Sequence, residues 1–162
     1  MRRSRYLVDG AWYHVIARIN RGECIFSNER IQELFLDIVK RAKKRARQPF
    51  RFEIANFCIM GNHIHFLIKP AKGESLSKIM QWILSVFAMQ YNRIMNIHGH
   101  VWQDRFKSIV VNSIRQFLRV FEYITNNPIK AGLTSNVEDY RYCGTYFASR
   151  SDFSIINKSF EI

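Results

Sequence analysis

Apolar residues recur along the chain with a spacing that switches between two and about 3.6 residues, and that switching predicts an α+β domain. Three observations carry the prediction. Two long stretches, 27–48 and 75–96, have helical spacing. Four short β-rich stretches, at 11–19, 50–60, 63–69 and 106–112, surround them. Their order, β-α-β-β-α-β, is the split βαβ arrangement of ferredoxin-like folds, an antiparallel sheet with two helices on one face. A further helix at 113–127 and a tail follow. In this reading the other face of the sheet is open, and the chemistry belongs there.

The elements follow in chain order. "AWYHVIARI" sets Trp12, His14 and Ile16 on one side and Tyr13, Val15 and Ala17 on the other. The first helix has apolar positions Ile31, Leu34, Phe35, Ile38, Val39 and Ala42, with Ser27 its N-cap and Pro49 its stop. "FRFEIANFCIM" alternates and then turns uniformly apolar, Gly61-Asn62 marks a tight hairpin, and "HIHFLIK" returns. The second helix is amphipathic, a loop "IHGHVWQDR" follows, and "FKSIVVN" is the last strand. The third helix, "SIRQFLRVFEYITNN", has the capping pattern Ser113-x-x-Gln116 and ends at Pro128.

The totals bound the function. The chain has 162 residues, 48% of them hydrophobic, which suffices for one domain with a sizeable core. Twenty-five Lys and Arg against thirteen Asp and Glu leave a net charge of +12, which points to a polyanionic partner, most simply nucleic acid. No apolar run reaches the roughly 20 residues that span a bilayer, and "MRRSRYLVDGAW" lacks a signal-peptide core. Cys24, Cys58 and Cys143 are scattered, odd in number and without CxxC spacing, so they read as reduced thiols of a cytoplasmic protein.

Inside "NFCIMGNHIHFLIKP" two histidines stand one residue apart. Strand alternation puts His63, His65 and Leu67 on one face and Ile64, Phe66 and Ile68 on the other. The second set is wholly apolar and belongs under the helices, so the histidines face the open side, roughly 6–7 Å apart at Cα. Two imidazoles at that spacing either converge on one cation or sit on a polar face bonded to water and neighbours. "HGH" at His98 and His100 has the same spacing, but Gly99 and a loop context leave their orientation unset. His14 reaches the same face in a structural or supporting role.

On the third helix Ile114, Phe117, Leu118, Phe121 and Ile124 share a sector of roughly 120°, the expected packing stripe. Tyr123 falls opposite, with Arg119 one turn before and Asn127 one turn after. It is either an incidental surface tyrosine or one presented to a ligand. A phenol, with a pKa of about 10, is a poor nucleophile at neutral pH. It becomes effective on a phosphodiester whose phosphate a divalent ion polarises. Two histidines and one side-chain oxygen, such as the Asn127 amide, would suffice to hold that ion.

"NHIHFLI" is the histidine-hydrophobic-histidine (HUH) motif. With "GHVWQDRFKSI" and "YITNNPIKAGL", the chain resembles the REP-associated tyrosine transposases, relatives of the single-tyrosine IS200-like HUH transposases, from about residue 2 to 133. "RRSRYLVDGAWYHV" and "LSKIMQWILSVFAMQYNR" resemble the family consensus as well. The resemblance implies a transposase domain over 1–133, with 134–162 a tail packed on it. It implies His63, His65 and Asn127 as ligands of Mg²⁺ or Mn²⁺ and Tyr123 as the nucleophile. Imidazole suits softer ions than Mg²⁺, which leaves room for Mn²⁺. The implied activity is nicking and rejoining of single-stranded, hairpin-containing DNA through a 5′-phosphotyrosine, by a monomer or a homodimer. Ile129 and Lys130 stand where the family often has Val and Arg, and "YRYCGTY" departs from its Trp-Ser pattern.

Basic and aromatic positions supply the expected DNA surface: Arg2, Arg3 and Arg5 as an N-terminal arm, Lys43 and Lys44 within "KRAKKRAR", Trp102, Arg105 and Lys107 in "WQDRFK", and Arg119 and Lys130 around the third helix. The basic run is otherwise a solvated helix face, and Trp102 is otherwise a core anchor. Two other functions stand beside the enzyme. One is a nucleic-acid-binding module without catalysis, although no RNP1 pattern is present. The other is a transposase relative that has lost activity, which the intact His63, His65, Tyr123 and Asn127 oppose.

Overall fold

A computed structural model describes residues 7–44, 50–159 and 162. Four strands, β1 (Trp12–Arg18), β2 (Phe52–Met60), β3 (His63–Pro70) and β4 (Lys107–Val111), form one antiparallel sheet in the order β2-β3-β1-β4. Helices α1 (Glu29–Lys43) and α2 (Leu76–Met95) lie between the strands in sequence, giving the βαββαβ order. α3 (Ile114–Lys130) and a short α4 (Gly144–Ser149) follow.

The main core lies between the sheet and the first two helices. Tyr13, Val15, Ala17, Ile64, Phe66 and Ile68 meet Phe35, Ile38 and Val39 of α1 and Ile79, Ile83 and Phe87 of α2. Burial of this apolar surface is the main driving force for the fold. Each helix is capped from its own sequence. Asn28, rather than Ser27, accepts from the Arg30 N–H at 2.9 Å, because the chain before it still turns as a 3₁₀ segment over Ile25–Ser27. Ser75 caps α2, and Asn96 ends it in the left-handed conformation. The expected stop of α1 at Pro49 lies outside the described residues.

The face expected to be bare is partly covered. α3 packs across it, and Phe117 and Ile124 meet Trp12, Ala55, Cys58, Met60 and Leu67 in a second apolar cluster. The packing stripe of α3 differs from the one expected. Ile114 and Leu118 are 61% and 56% exposed, while Phe117, Ile124, Asn127 and Pro128 are buried. At 100° per residue the buried side is rotated by about 50° towards Tyr123. Pro128 does not stop the helix; it occupies the last turn, and α3 runs on to Lys130.

Asn56 fixes α3 to the sheet. At a bulge in β2, its Nδ2 donates to the Phe121 carbonyl (3.1 Å) and the Thr125 hydroxyl (2.8 Å), and its Oδ1 accepts from the Phe57 N–H. The C-terminal segment then lies along the outer edge of β2. Ile59 N–H donates to the Tyr142 carbonyl and Asn157 N–H to the Ile54 carbonyl, both at 2.9 Å. An edge strand left unpaired would be a template for association, and these bonds blunt it.

Candidate nucleic-acid-processing site

The β1–β3 register brings three histidines to one place. Ile16 pairs with His65, Arg18 with His63 and His14 with Leu67, so His14 and His65 lie diagonally on the same face. Their rings stack at 5.2 Å, and His14 Nε2 is 2.9 Å from His65 Nδ1, a hydrogen bond in which one ring donates. His63 stands 4.9 Å from His65 between ring centres, and its Nδ1–H donates to Asn62 Oδ1 at 2.8 Å. Both imidazoles are therefore held through Nδ1. His65 Nε2 is buried and has no hydrogen-bond partner.

Burial disfavours charge on these rings. It lowers the pKa of His14; it lowers that of His63, with help from the Arg18 charge. His65 is pulled down to about 3 by burial first, then by His14, His63 and Arg18. Neutral imidazoles have lone pairs to offer.

α3 carries Tyr123 to the same place. Its ring centre lies 5.6 Å from that of His65 and 5.8 Å from that of His14, edge-on to both. The side chain remains 44% exposed, so the hydroxyl's surroundings are open to a substrate. Lys130 extends its ammonium over the ring at 5.6 Å. Asn127, one turn after Tyr123, is buried, and its Nδ2 has no partner. A rotated stripe explains both placements: Tyr123 and Asn127 border the buried side of α3 rather than standing opposite it.

The donor chemistry fits a cation with open coordination positions. Among the described residues no three His, Cys, Asp or Glu side chains are arranged to hold a metal ion by themselves, the three clustered imidazoles included. A metal here would have the Nε2 atoms of His63 and His65 and a neutral amide oxygen, which leaves room for phosphate. An unpartnered buried nitrogen such as His65 Nε2 carries a desolvation cost that such a ligand would offset.

The sequence and the fold agree with a known family. The sequence model described as "Transposase IS200 like" matches residues 7–127. The chain belongs to the IS200-like transposase family. Among its relatives, the REP-associated tyrosine transposase of Escherichia coli K12 is 19% identical over 146 residues, 86% of this chain and 79% of that protein. A Haemophilus influenzae protein that carries this name provisionally is 24% identical over 118 residues, 67% of each chain. The solved structure of a REP-associated tyrosine transposase bound to a REP hairpin superposes with a TM-score of 0.75 at 18% identity, covering 99% of this chain and 92% of that one. Fold and family thus agree.

The remaining expected DNA-binding residues scatter. On this IS200-like transposase Lys107 faces the site, opposite Ile16 on β4, and Arg105 and Lys107 line a groove of about 1160 Å³ between α2 and the loop before β4. Arg119 and Lys44 are exposed. Trp102 is a core anchor: its Nε1–H donates to the Leu84 carbonyl at 2.9 Å and its ring packs on Phe26, Phe35 and Phe87. Lys43 turns inward to the tail, donating to the Ile155 carbonyl (2.8 Å) and Asn157 Oδ1 (3.2 Å), so it ties the C-terminal segment to α1. Arg2, Arg3 and Arg5 lie outside the described residues. His98 and His100 are exposed on their loop.

Sequence reasoning passed over Arg18 and Asn56. Both had a signal. Arg18 continues the alternation His14, Ile16, Arg18 onto the histidine face, and Asn56 is an amide inside an otherwise apolar strand.

Proposed function

We propose that the chain nicks and rejoins single-stranded, hairpin-containing DNA through a 5′-phosphotyrosine on Tyr123, with a divalent ion held by His63, His65 and Asn127. One observation carries the reading: the Tyr123 ring lies 5.6 Å from that of His65, whose buried Nε2 has no protein partner. A bound Mg²⁺ or Mn²⁺ would polarise the scissile phosphate and orient it for in-line attack.

The chain's own residues supply the rest. The Tyr123 oxygen attacks phosphorus and the O–P bond forms while its proton passes to solvent; the bond to the 3′ oxygen breaks, and that oxygen takes a proton from solvent. The products are a 5′-phosphotyrosine and a free 3′-hydroxyl. Rejoining is the reverse displacement by a 3′-hydroxyl, so no nucleotide cofactor is consumed. Lys130, over the Tyr123 ring, places positive charge where the phenol becomes an oxyanion. The Nδ1 bonds of His63 and His65 orient both rings, as supporting hydrogen bonds do for metal-bound histidines. The hairpin as ligand is supported by the net charge of +12 and by the REP hairpin bound to the structural neighbour.

Incubation with a labelled hairpin oligonucleotide and Mn²⁺ tests the reading. A covalent adduct on a denaturing gel, absent from Tyr123→Phe and from the metal-free reaction, supports it. Tight hairpin binding without any adduct refutes catalysis and leaves a binding module.

A further inference from the structure

The last residue of β1 is a cation that has no ion-pair partner among the described residues. Arg18 faces His63 directly across the β1–β3 ladder. Residues opposed in this way point to the same side with Cβ atoms about 4.5–5.5 Å apart. The side chain is exposed, and the ion pairs of the described residues (Arg41–Asp37, Arg51–Glu74, Arg141–Glu33) do not include it. Its charge reaches both imidazoles, lowering the pKa of His63 and of His65.

Two more cations border the same place. Lys107 stands opposite Ile16, which has His65 on its other side. Lys130 arrives from α3 over Tyr123. Neither belongs to an ion pair among the described residues. Three positive groups without an ion-pair partner among the described residues thus border the imidazoles, and like charges gathered in this way favour an anion between them.

We infer that Arg18 is a catalytic residue, gripping a non-bridging oxygen of the scissile phosphate while Tyr123 attacks. A guanidinium is always charged, and its planar fork matches a phosphate in a way an ammonium does not. Lys107 and Lys130 hold the neighbouring phosphates as point charges. This assignment rests on the nicking reading above.

The test measures adduct formation with hairpin oligonucleotides carrying a normal phosphate or either phosphorothioate diastereomer at the cleaved position. Arg18→Gln, on an exposed strand end, should melt like the wild type, and should form adduct roughly 10²–10³-fold more slowly on the normal substrate. Arg18→Lys should recover only part of the rate. One diastereomer should slow the wild type, and that penalty should shrink towards one in Arg18→Gln, because sulfur replaces the oxygen the guanidinium held. A normal adduct rate in Arg18→Gln, or thio penalties the same in variant and wild type for both diastereomers, overturns the inference while the nicking activity stands. A wild type that forms no adduct removes the nicking reading and this inference together.

Discussion

Gly144 is the first residue of α4, and there is no room for a side chain on it. A Cβ built there would stand 2.3 Å from Asn56 Oδ1, and 3.2 Å from both Asn56 Cα and Phe57 N. Asn56 is the residue whose amide holds the Phe121 carbonyl and the Thr125 hydroxyl, on either side of Tyr123 in α3. Gly144→Ala therefore pushes the tail against the anchor of the tyrosine helix. Overpacking of this kind costs about 1–3 kcal/mol. Weakening the two Asn56 bonds adds roughly 0.5–1.5 kcal/mol for each. The expected loss is about 2–6 kcal/mol, which for a domain of this size lowers Tm by roughly 4–24 °C. The assay is thermal or urea denaturation of four proteins: wild type, Gly144→Ala, Asn56→Ala and the double variant. Asn56→Ala removes the oxygen that clashes, so Gly144→Ala should cost about 1–3 kcal/mol less in that background. Strict additivity of the two substitutions would refute the argument that the tail reaches α3 through Asn56.

Two further outcomes follow from the histidine cluster. His14→Phe keeps a ring of similar size but removes the Nε2 that bonds His65 Nδ1 at 2.9 Å. Mn²⁺ affinity, titrated by electron paramagnetic resonance, should fall about 10–100-fold, with His14→Gln recovering part of it; wild-type affinity in His14→Phe would show that His14 does not orient His65. Acid should also destabilise the metal-free protein early. The folded state holds His65 down to about 3, and His14 and His63 also below their ordinary values, so the unfolded chain takes up protons first. Stability is thus full above about pH 6.5 and falls as the pH drops towards 3. Melting temperatures between pH 8 and 5 should decline from about pH 6.5, less steeply in His65→Gln; equal slopes in the two proteins would contradict the burial argument.

Local periodicity was enough for the strands and helices. The alternation of Tyr13, Val15 and Ala17 and of Ile64, Phe66 and Ile68 named the core face, and those residues are buried under α1 and α2. Errors came where local rules compete. Ser27 and Asn28 are both capable caps, and the 3₁₀ turn before the helix selects Asn28. Pro128 reads as a stop, but a proline in the last turn forfeits only one backbone bond. Leu118 and Ile114 suit a stripe, yet the buried side of α3 is turned away from them towards Ile124 and Asn127, and they remain exposed.

Composition and spacing by themselves determined the element order, the core face, the basic character and the pairing of His63 with His65 on one side of a strand. These depend on neighbours within a few residues, or on sums over the whole chain. Only the tertiary structure decided that His14 bonds His65 from another strand, that Arg18 stands opposite His63, that Trp102 and Lys43 serve the interior, and that Tyr123 meets the imidazoles from a helix packed on the supposedly bare face. Those relations depend on strand register and on the rotation of α3 about its own axis. Both are set by which distant surfaces bury each other, and a periodic pattern read along one segment leaves them undetermined.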